Sequence, residues 1–251
     1  LNFEIDFCVH TASFNEFFLP GYPEKALKVN TLGTRNLLEI AQYSKARWVQ
    51  LSSVGAYGPF QAGTCSIASP EKPVSTYERT KTLSDRIVKK SGLPYVILRP
   101  SIVFGEAMPN QSMRQMALMI KRGIFFYVGR GAIMNYVHVD DVVRALIICG
   151  LSPKACSKTY IISDQISLEE MVRSLSVGLG VSVPKLRVPK LPISLLVGLF
   201  GSFPGVPLSE QRLSALTNRC IYDSSQIKSE LGFVFERTLQ DALISYAQSI
   251  K

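Results

Sequence analysis

The chain has 251 residues, 47% of them hydrophobic and 19% charged, which is globular composition with enough length for a large core and excludes a disordered chain. Five scattered cysteines, no C-x-x-C and only two histidines argue against a zinc site or a disulfide framework and for a reducing, cytoplasmic setting. The net charge of +9 suits anionic small molecules or an acidic membrane face; the dispersed Lys and Arg form no nucleic-acid motif, so nucleic acid is not expected as a partner.

In chain order, Phe7–Val9 is a short apolar run that reads as a buried strand ending in a loop at His10–Ser13. From Tyr22 to Ala41 the spacing is helical, with Ala26, Val29, Leu32, Leu37, Leu38 and Ala41 on one face. Trp48–Leu51 is the next strand and stops at Ser52–Ser53. A helix over about Ser75–Lys90 closes at Gly92 and Pro94, and Tyr95–Leu98 follows as a third strand. A strand-to-helix turn falls at Tyr136–Asp141, with an Asp expected to cap the helix that runs to about Cys149, and Tyr160–Ile162 is the last strand of the sheet. Leu168–Gly178 and Leu239–Ile250 are helical, and prolines interrupt the apolar stretch between them. Alternating strands and helices with continuous apolar runs predict parallel strands covered on both faces.

Tyr77 and Lys81 lie four residues apart on one predicted helix, so both side chains leave the same face. A nearby ammonium favours phenolate, which suits a tyrosine acting as general acid/base. Ten tyrosines and fourteen lysines make about half such a spacing expected by chance. Ser53, at the carboxyl end of the preceding strand where open α/β sheets bind ligands, gives the pair a context: its hydroxyl can hold a reacting oxygen beside Tyr77.

Five segments in order, Asp6 to Ser13 (DFCVHTAS), Asn30 to Ala41 (NTLGTRNLLEIA), Ser52 to Gly58 (SSVGAYG), Tyr77 to Lys81 (YERTK) and Leu98 to Gly105 (LRPSIVFG), resemble the extended short-chain dehydrogenases/reductases. That branch holds nucleotide-sugar epimerases, dehydratases and reductases and the 3β-hydroxysteroid dehydrogenases. Tyr136 to Asp141 (YVHVDD) and the late Tyr222–Asp223 and Glu230–Gly232 extend the resemblance over nearly the whole chain.

The resemblance implies an α/β fold, a truncated doubly wound (Rossmann-type) parallel sheet with a smaller, mostly helical C-terminal substrate lobe. Residues 1–105 and 136–164 would form the dinucleotide-binding part, and 106–135 and 165–251 the substrate lobe. It further implies NAD or NADP as cofactor and Ser53, Tyr77 and Lys81 as the catalytic set, Lys81 also binding the nicotinamide ribose and depressing the Tyr77 pKa. His10, Ala12, Ser13 and Ser52 would line the cofactor, Asn30 would help place Lys81, and Pro100, Ser101, Ile102 and Val103 would wrap the nicotinamide amide. No metal is expected, and the catalytic helix suggests a homodimer.

Two departures narrow this reading. No G-x-x-G-x-x-G phosphate turn occurs in the sequence; the first residue is Leu, and the turn is expected within roughly 60 residues upstream. The Asp–Glu pair that the family's dehydratases place after the catalytic Ser/Thr is Val54–Gly55 here, which cannot do acid/base work and disfavours dehydration. Epimerase and dehydrogenase/reductase remain, as does a non-catalytic remnant that binds without turnover. For substrate, Asn110–Ser112, Gly123–Gly129 and Asn135–Tyr136 resemble nucleotide-sugar enzymes, whereas LRPSIVFG is closer to reductase and hydroxysteroid-dehydrogenase branches; a nucleotide sugar is favoured over a lipid or sterol. Residues 191–207, behind Lys185, Arg187 and Lys190, are a candidate peripheral membrane contact.

Overall fold

A computed structural model describes residues 5–15, 22–107, 111–193, 213–214 and 216–250. Strand β1 (Phe7–His10) is followed by one continuous helical run: α1 (Pro23–Leu27), a π-helical turn (Lys28–Leu32) and α2 (Gly33–Ser44). Next come β2 (Arg47–Leu51), a 3-10 turn (Val54–Tyr57), β3 (Ala62–Cys65), α3 (Thr76–Lys89), β4 (Tyr95–Pro100) and β5 (Ile102–Phe104). The middle of the chain supplies α4 (Gln111–Lys121), β6 (Tyr127–Val128), β7 (Ile133–His138), α5 (Val139–Leu151), β8 (Lys158–Ile162), β9 (Asp164–Ser167) and α6 (Leu168–Leu179). Then follow β10 (Arg187–Val188), β11 (Arg219–Tyr222), α7 (Ser225–Leu231) and α8 (Leu239–Gln248).

The main sheet has the order β1-β2-β4-β8, and every pair in it is parallel. Its two inner strands are buried on both faces, as their unbroken runs Trp48–Gln50 and Val96–Pro100 require. Leu38 and Ala41 of α2 and Val88 of α3 pack on Trp48 and Ile97 on one face; Ala145, Leu146 and Cys149 of α5 pack on Val49, Val96 and Leu98 on the other. Helices on both faces of a parallel sheet make the fold α/β and Rossmann-type. Among the described residues β1 pairs only with β2. Near this open edge Val9, Leu37 and Ile40 stay exposed, as do Ile147 and Leu151 of α5.

A second core joins β5, β7 and β9 to α4, α6 and α8 through Phe104, Met113, Tyr136, Met171 and Leu243. β7 runs parallel to β5 and antiparallel to β9 in a sheet of its own. Helices α6 and α8 meet closely at Gly178, where an added Cβ would lie 2.4 Å from the Ile244 carbonyl oxygen.

Two sequence expectations are corrected. Leu32 and Leu37 do not share the buried face with Ala26, Leu38 and Ala41: the π-helical turn adds a residue to the winding and turns Asn30, Thr31 and Thr34 inward instead. The helix after β7 is capped not by an Asp but by His138, whose Nδ1 accepts from the Asp140 N–H at 3.3 Å. Asn135, read as part of a substrate motif, is buried and ties β7 to β11, donating to the Cys220 carbonyl at 2.9 Å and accepting from the Tyr222 N–H at 3.3 Å.

Candidate active site

The site gathers where β2 ends. Ser53 leaves the strand with extended backbone, and its Oγ accepts from the Gly55 N–H at 3.0 Å, capping the 3-10 turn. Gly58 ends that turn at a φ of 72°, where a Cβ would strike the Lys72 carbonyl oxygen at 2.0 Å. The loop so held leads to a capping box at Ser75 and Glu78, which starts α3 at Thr76 and puts Tyr77 in its first turn. Tyr77 shares a side-chain hydrogen bond with Ser53. One turn on, Lys81 is 3% exposed and its Nζ donates to the Leu51 carbonyl oxygen at 2.6 Å. Strand end, turn and helix thus bring Ser53, Tyr77 and Lys81 into one place.

The electrostatics differ from the simple expectation. Burial pushes the Tyr77 phenol up to about 12; the Ser53 hydrogen bond opposes this, and the Asp85 and Glu78 charges add to it. The Lys81 ammonium is itself brought down to about 8 by burial, with Asp85 acting in the opposite direction.

The other predicted residues divide into two groups. Ala12 and Ser13 are exposed just past β1. Ser101 is 7% exposed past β4, with a buried Oγ that has no hydrogen-bond partner, and Ile102 is half exposed beside it. Pro100 is buried as the last residue of β4, and Val103 is half-buried in β5. These surround the strand ends.

His10, Ser52 and Asn30 instead point into the protein. His10 Nε2 is 3.1 Å from Thr34 Oγ1, and its ring sits 5.1 Å from that of Trp48. Ser52 donates to Asp85 Oδ2 at 2.8 Å and is 3% exposed, so its hydroxyl faces the core and not a ligand. Asn30 accepts from the Phe14 N–H at 2.7 Å and donates to the Phe14 carbonyl and to Thr80 Oγ1, both at 2.9 Å. It locks the β1 loop to the residue before Lys81, and its recorded bonds do not reach Lys81 itself.

Sequence reasoning missed a buried ion network directly behind the triad. Asp85, one turn after Lys81, pairs with Arg99 through Nε at 3.1 Å and Nη2 at 2.9 Å. Arg99 also reaches Glu71 at 2.5 Å, and its guanidinium lies 4.9 Å from the centre of the Tyr57 ring. Burial pushes the Asp85 carboxyl up while Arg99 and Ser52 hold it down. The i, i+4 step from Lys81 to Asp85 was the available signal.

Burial holds His10 down at about 4, with the Lys81 charge adding to the effect. An unfolded His takes its proton near 6.5, so the chain loses stability as pH falls below that value, until the folded imidazole protonates near 4. The urea midpoint should therefore drop between pH 7 and pH 5, and by less in His10→Asn; equal drops would refute the buried neutral imidazole.

A Rossmann-type sheet with a Ser–Tyr–Lys set at its strand ends defines a class, nucleotide-dependent α/β enzymes. The sequence profile of the NAD dependent epimerase/dehydratase family matches residues 2–162, and the chain belongs to that family. It is 27% identical over 234 residues to a UDP-glucose 4-epimerase of Vibrio cholerae, covering 88% of this chain and 69% of that protein. Short-chain dehydrogenase/reductase family 42E member 1 of Danio rerio is 28% identical over 195 residues, with 67% of this chain covered; the match spans about half, 49%, of that protein. Among solved structures, the UDP-glucuronic acid 4-epimerase from Bacillus cereus in complex with NAD superposes with a TM-score of 0.72 at 19% identity, covering 98% of this chain and 75% of that one.

Proposed function

We propose that the chain is the catalytic part of an NAD- or NADP-dependent epimerase or dehydrogenase/reductase that moves hydride and proton at a carbinol carbon of a nucleotide sugar. The observation that carries this reading is the Ser53–Tyr77 hydrogen bond beside a Lys81 anchored to the end of β2. The named relatives that act on UDP-sugars support the substrate class.

The residues fit one end of a dinucleotide. The unpartnered Ser101 hydroxyl suits an amide, and Lys81, with one recorded hydrogen bond for three ammonium protons, suits ribose hydroxyls. Ala12 and Ser13 would complete that side. The phosphate-binding turn is not in this sequence, and the open β1 edge is where strands carrying it would pair. In this reading 1–105 and 136–164 hold the cofactor, and 106–135 and 165–251 the sugar.

Bound there, nicotinamide supplies a two-electron hydride acceptor and donor. Ser53 holds the substrate hydroxyl, and Tyr77 takes its proton as the carbinol becomes a ketone and returns one on reduction. In an epimerase the oxidation would be followed by its reverse: once the ketone has turned over, hydride and the Tyr77 proton would return to its opposite face. Dehydration is disfavoured, because the Asp–Glu positions are Val54, which is buried, and Gly55, where a Cβ would lie 2.9 Å from Glu78 Cγ.

The test is incubation of the full-length protein with UDP-glucose or UDP-glucuronic acid and NAD, with product configuration at the sugar carbinols read by NMR. Inverted sugar is the expected product of an epimerase, and reduced cofactor that of a dehydrogenase. Turnover of a hydroxysteroid alone would move the substrate to the lipid branch. Cofactor binding without any turnover would leave a binding subunit and overturn the enzyme assignment.

A further inference from the structure

Ser52, expected to line the cofactor, sits instead between two anchor points of the site. The Leu51 carbonyl oxygen before it accepts from Lys81 Nζ at 2.6 Å, and Ser53 after it shares a hydrogen bond with Tyr77. The Ser52 hydroxyl itself donates to Asp85 Oδ2 at 2.8 Å. Tyr77, Lys81 and Asp85 recur every four residues along one face of α3, so three successive residues at the end of β2 each meet one of them.

These anchors are not equivalent during turnover. In the proposed reaction the Ser53 and Tyr77 hydroxyls turn to the substrate oxygen, and Lys81 shares its protons with ribose hydroxyls. The Ser52–Asp85 bond has no such duty. Both groups are buried, Ser52 at 3% and Asp85 at 0% exposure. The carboxylate is also aimed: Arg99 Nε and Nη2, at 3.1 and 2.9 Å, donate to the same Oδ2 as Ser52, while Oδ1 is buried without a hydrogen-bond partner among the described residues. An ion pair built for strength alone forks onto both oxygens. The Ser52 N–H donates to Leu98 O at 2.8 Å, so β4 holds this residue through its backbone and, by way of Arg99 and Asp85, through its side chain. We propose that Ser52 and Asp85 are positioning residues: their bond fixes α3 on the end of β2 and keeps Ser53, Tyr77 and Lys81 in reacting geometry while those three exchange their own contacts for ligand. This rests on the hydride-transfer reading given above.

Ser52→Ala, Ser52→Thr and Tyr77→Phe of the full-length protein are compared with the parent in the UDP-sugar and NAD assay. A misplacement near ~1 Å costs up to ~10²-fold, so Ser52→Ala should lower kcat by about 10–100-fold, with KM and cofactor Kd within about twofold of the parent's. Ser52→Thr keeps the hydroxyl and should recover most of the loss. In the ligand-free protein, amide exchange over residues 53–58 should quicken in Ser52→Ala while residues 82–89 of α3 keep the parent's rates. Added to Arg99→Met with Asp85→Leu, Ser52→Ala should cost less than about twofold more, because its acceptor is already gone. Leu146→Ala, a core truncation on the other face of the sheet, should lower Tm and leave kcat unchanged at temperatures well below it. Parental kcat in Ser52→Ala overturns the proposal and leaves the Tyr77 assignment standing. So does a Ser52→Thr of parental Tm without recovery, faster exchange all along α3, an undiminished loss in the Asp85→Leu background, or an equal loss in Leu146→Ala. Retained turnover in Tyr77→Phe, or none in the parent, overturns the enzyme reading and this proposal with it.

Discussion

Tyr77→Phe removes the hydroxyl that the proposed mechanism uses to exchange a proton with the substrate and should lower kcat by ~10²–10⁴-fold, the range for loss of a general acid/base. Cofactor affinity, measured by fluorescence titration of the full-length protein, should stay close to the parent's, because the ring and Lys81 remain. Retained turnover would sink the assignment. A loss of cofactor affinity with little change in kcat would give Tyr77 a binding role instead.

The pH profile should carry a direction as well. With the phenol held up at about 12, Tyr77 is the neutral acid across the physiological range, so it is ready to donate to a ketone. Hydroxyl oxidation needs the opposite form. Its kcat/KM should rise with pH over a range where the reductive direction is flat, and a flat profile in both directions would separate the rate from Tyr77 ionisation.

The second large effect lies behind the site. Arg99→Met leaves the Asp85 carboxylate buried without its cation, and breaking such a pair costs about 3–5 kcal/mol. For a domain of this size that lowers Tm by roughly 10 °C. Replacing both partners, Arg99→Met with Asp85→Leu, should recover part of the loss, since Asp85 is no longer buried without its cation, while Lys81 loses its nearby carboxylate and Glu71 keeps only Arg86. An unchanged Tm in Arg99→Met would show that the network contributes nothing net. Because Asp85 also acts on Lys81 and Tyr77, the double variant should shift the pH profile even where stability is restored.

The strong periodic elements were legible from sequence. Thr76–Lys89 needed only its capping box and the glycine and proline beyond it, and the inner strands announced themselves as unbroken apolar runs. The two-residue pairing of β6 with β10 and the β3–β11 ladder were not legible, because their hydrogen bonds join segments far apart in the chain and their side chains carry no local period. The π-helical turn escaped for a related reason. A 3.6-residue template assigns Leu32 to the core, while the polar Asn30 and Thr34 win the inside through bonds to Phe14, Thr80 and His10.

At the site, residue type and spacing found Ser53, Tyr77 and Lys81 but not the orientation of their neighbours. Ser52 and His10 sit at the strand ends with their side chains bonded to Asp85 and Thr34, a matter of packing that spacing does not encode. The Asp85–Arg99 pair was not legible because it forms only where α3 packs on β4, fourteen residues on in the chain. The candidate membrane segment at 191–207 lies outside the described residues from 194 onward.

The Asn30 side chain also has a bearing on how the molecule assembles. Its partners are 16 residues away at Phe14, 17 away at Ser13 and 50 away at Thr80. Closing a loop of that length costs entropy before any contact rewards it. The amide can be satisfied only after the helical run and α3 have both settled on the sheet. It therefore couples two placements: the β1 loop and the start of α3 hold their mutual position through one amide, so a change that frees either end leaves the Asn30 side chain buried without its partner.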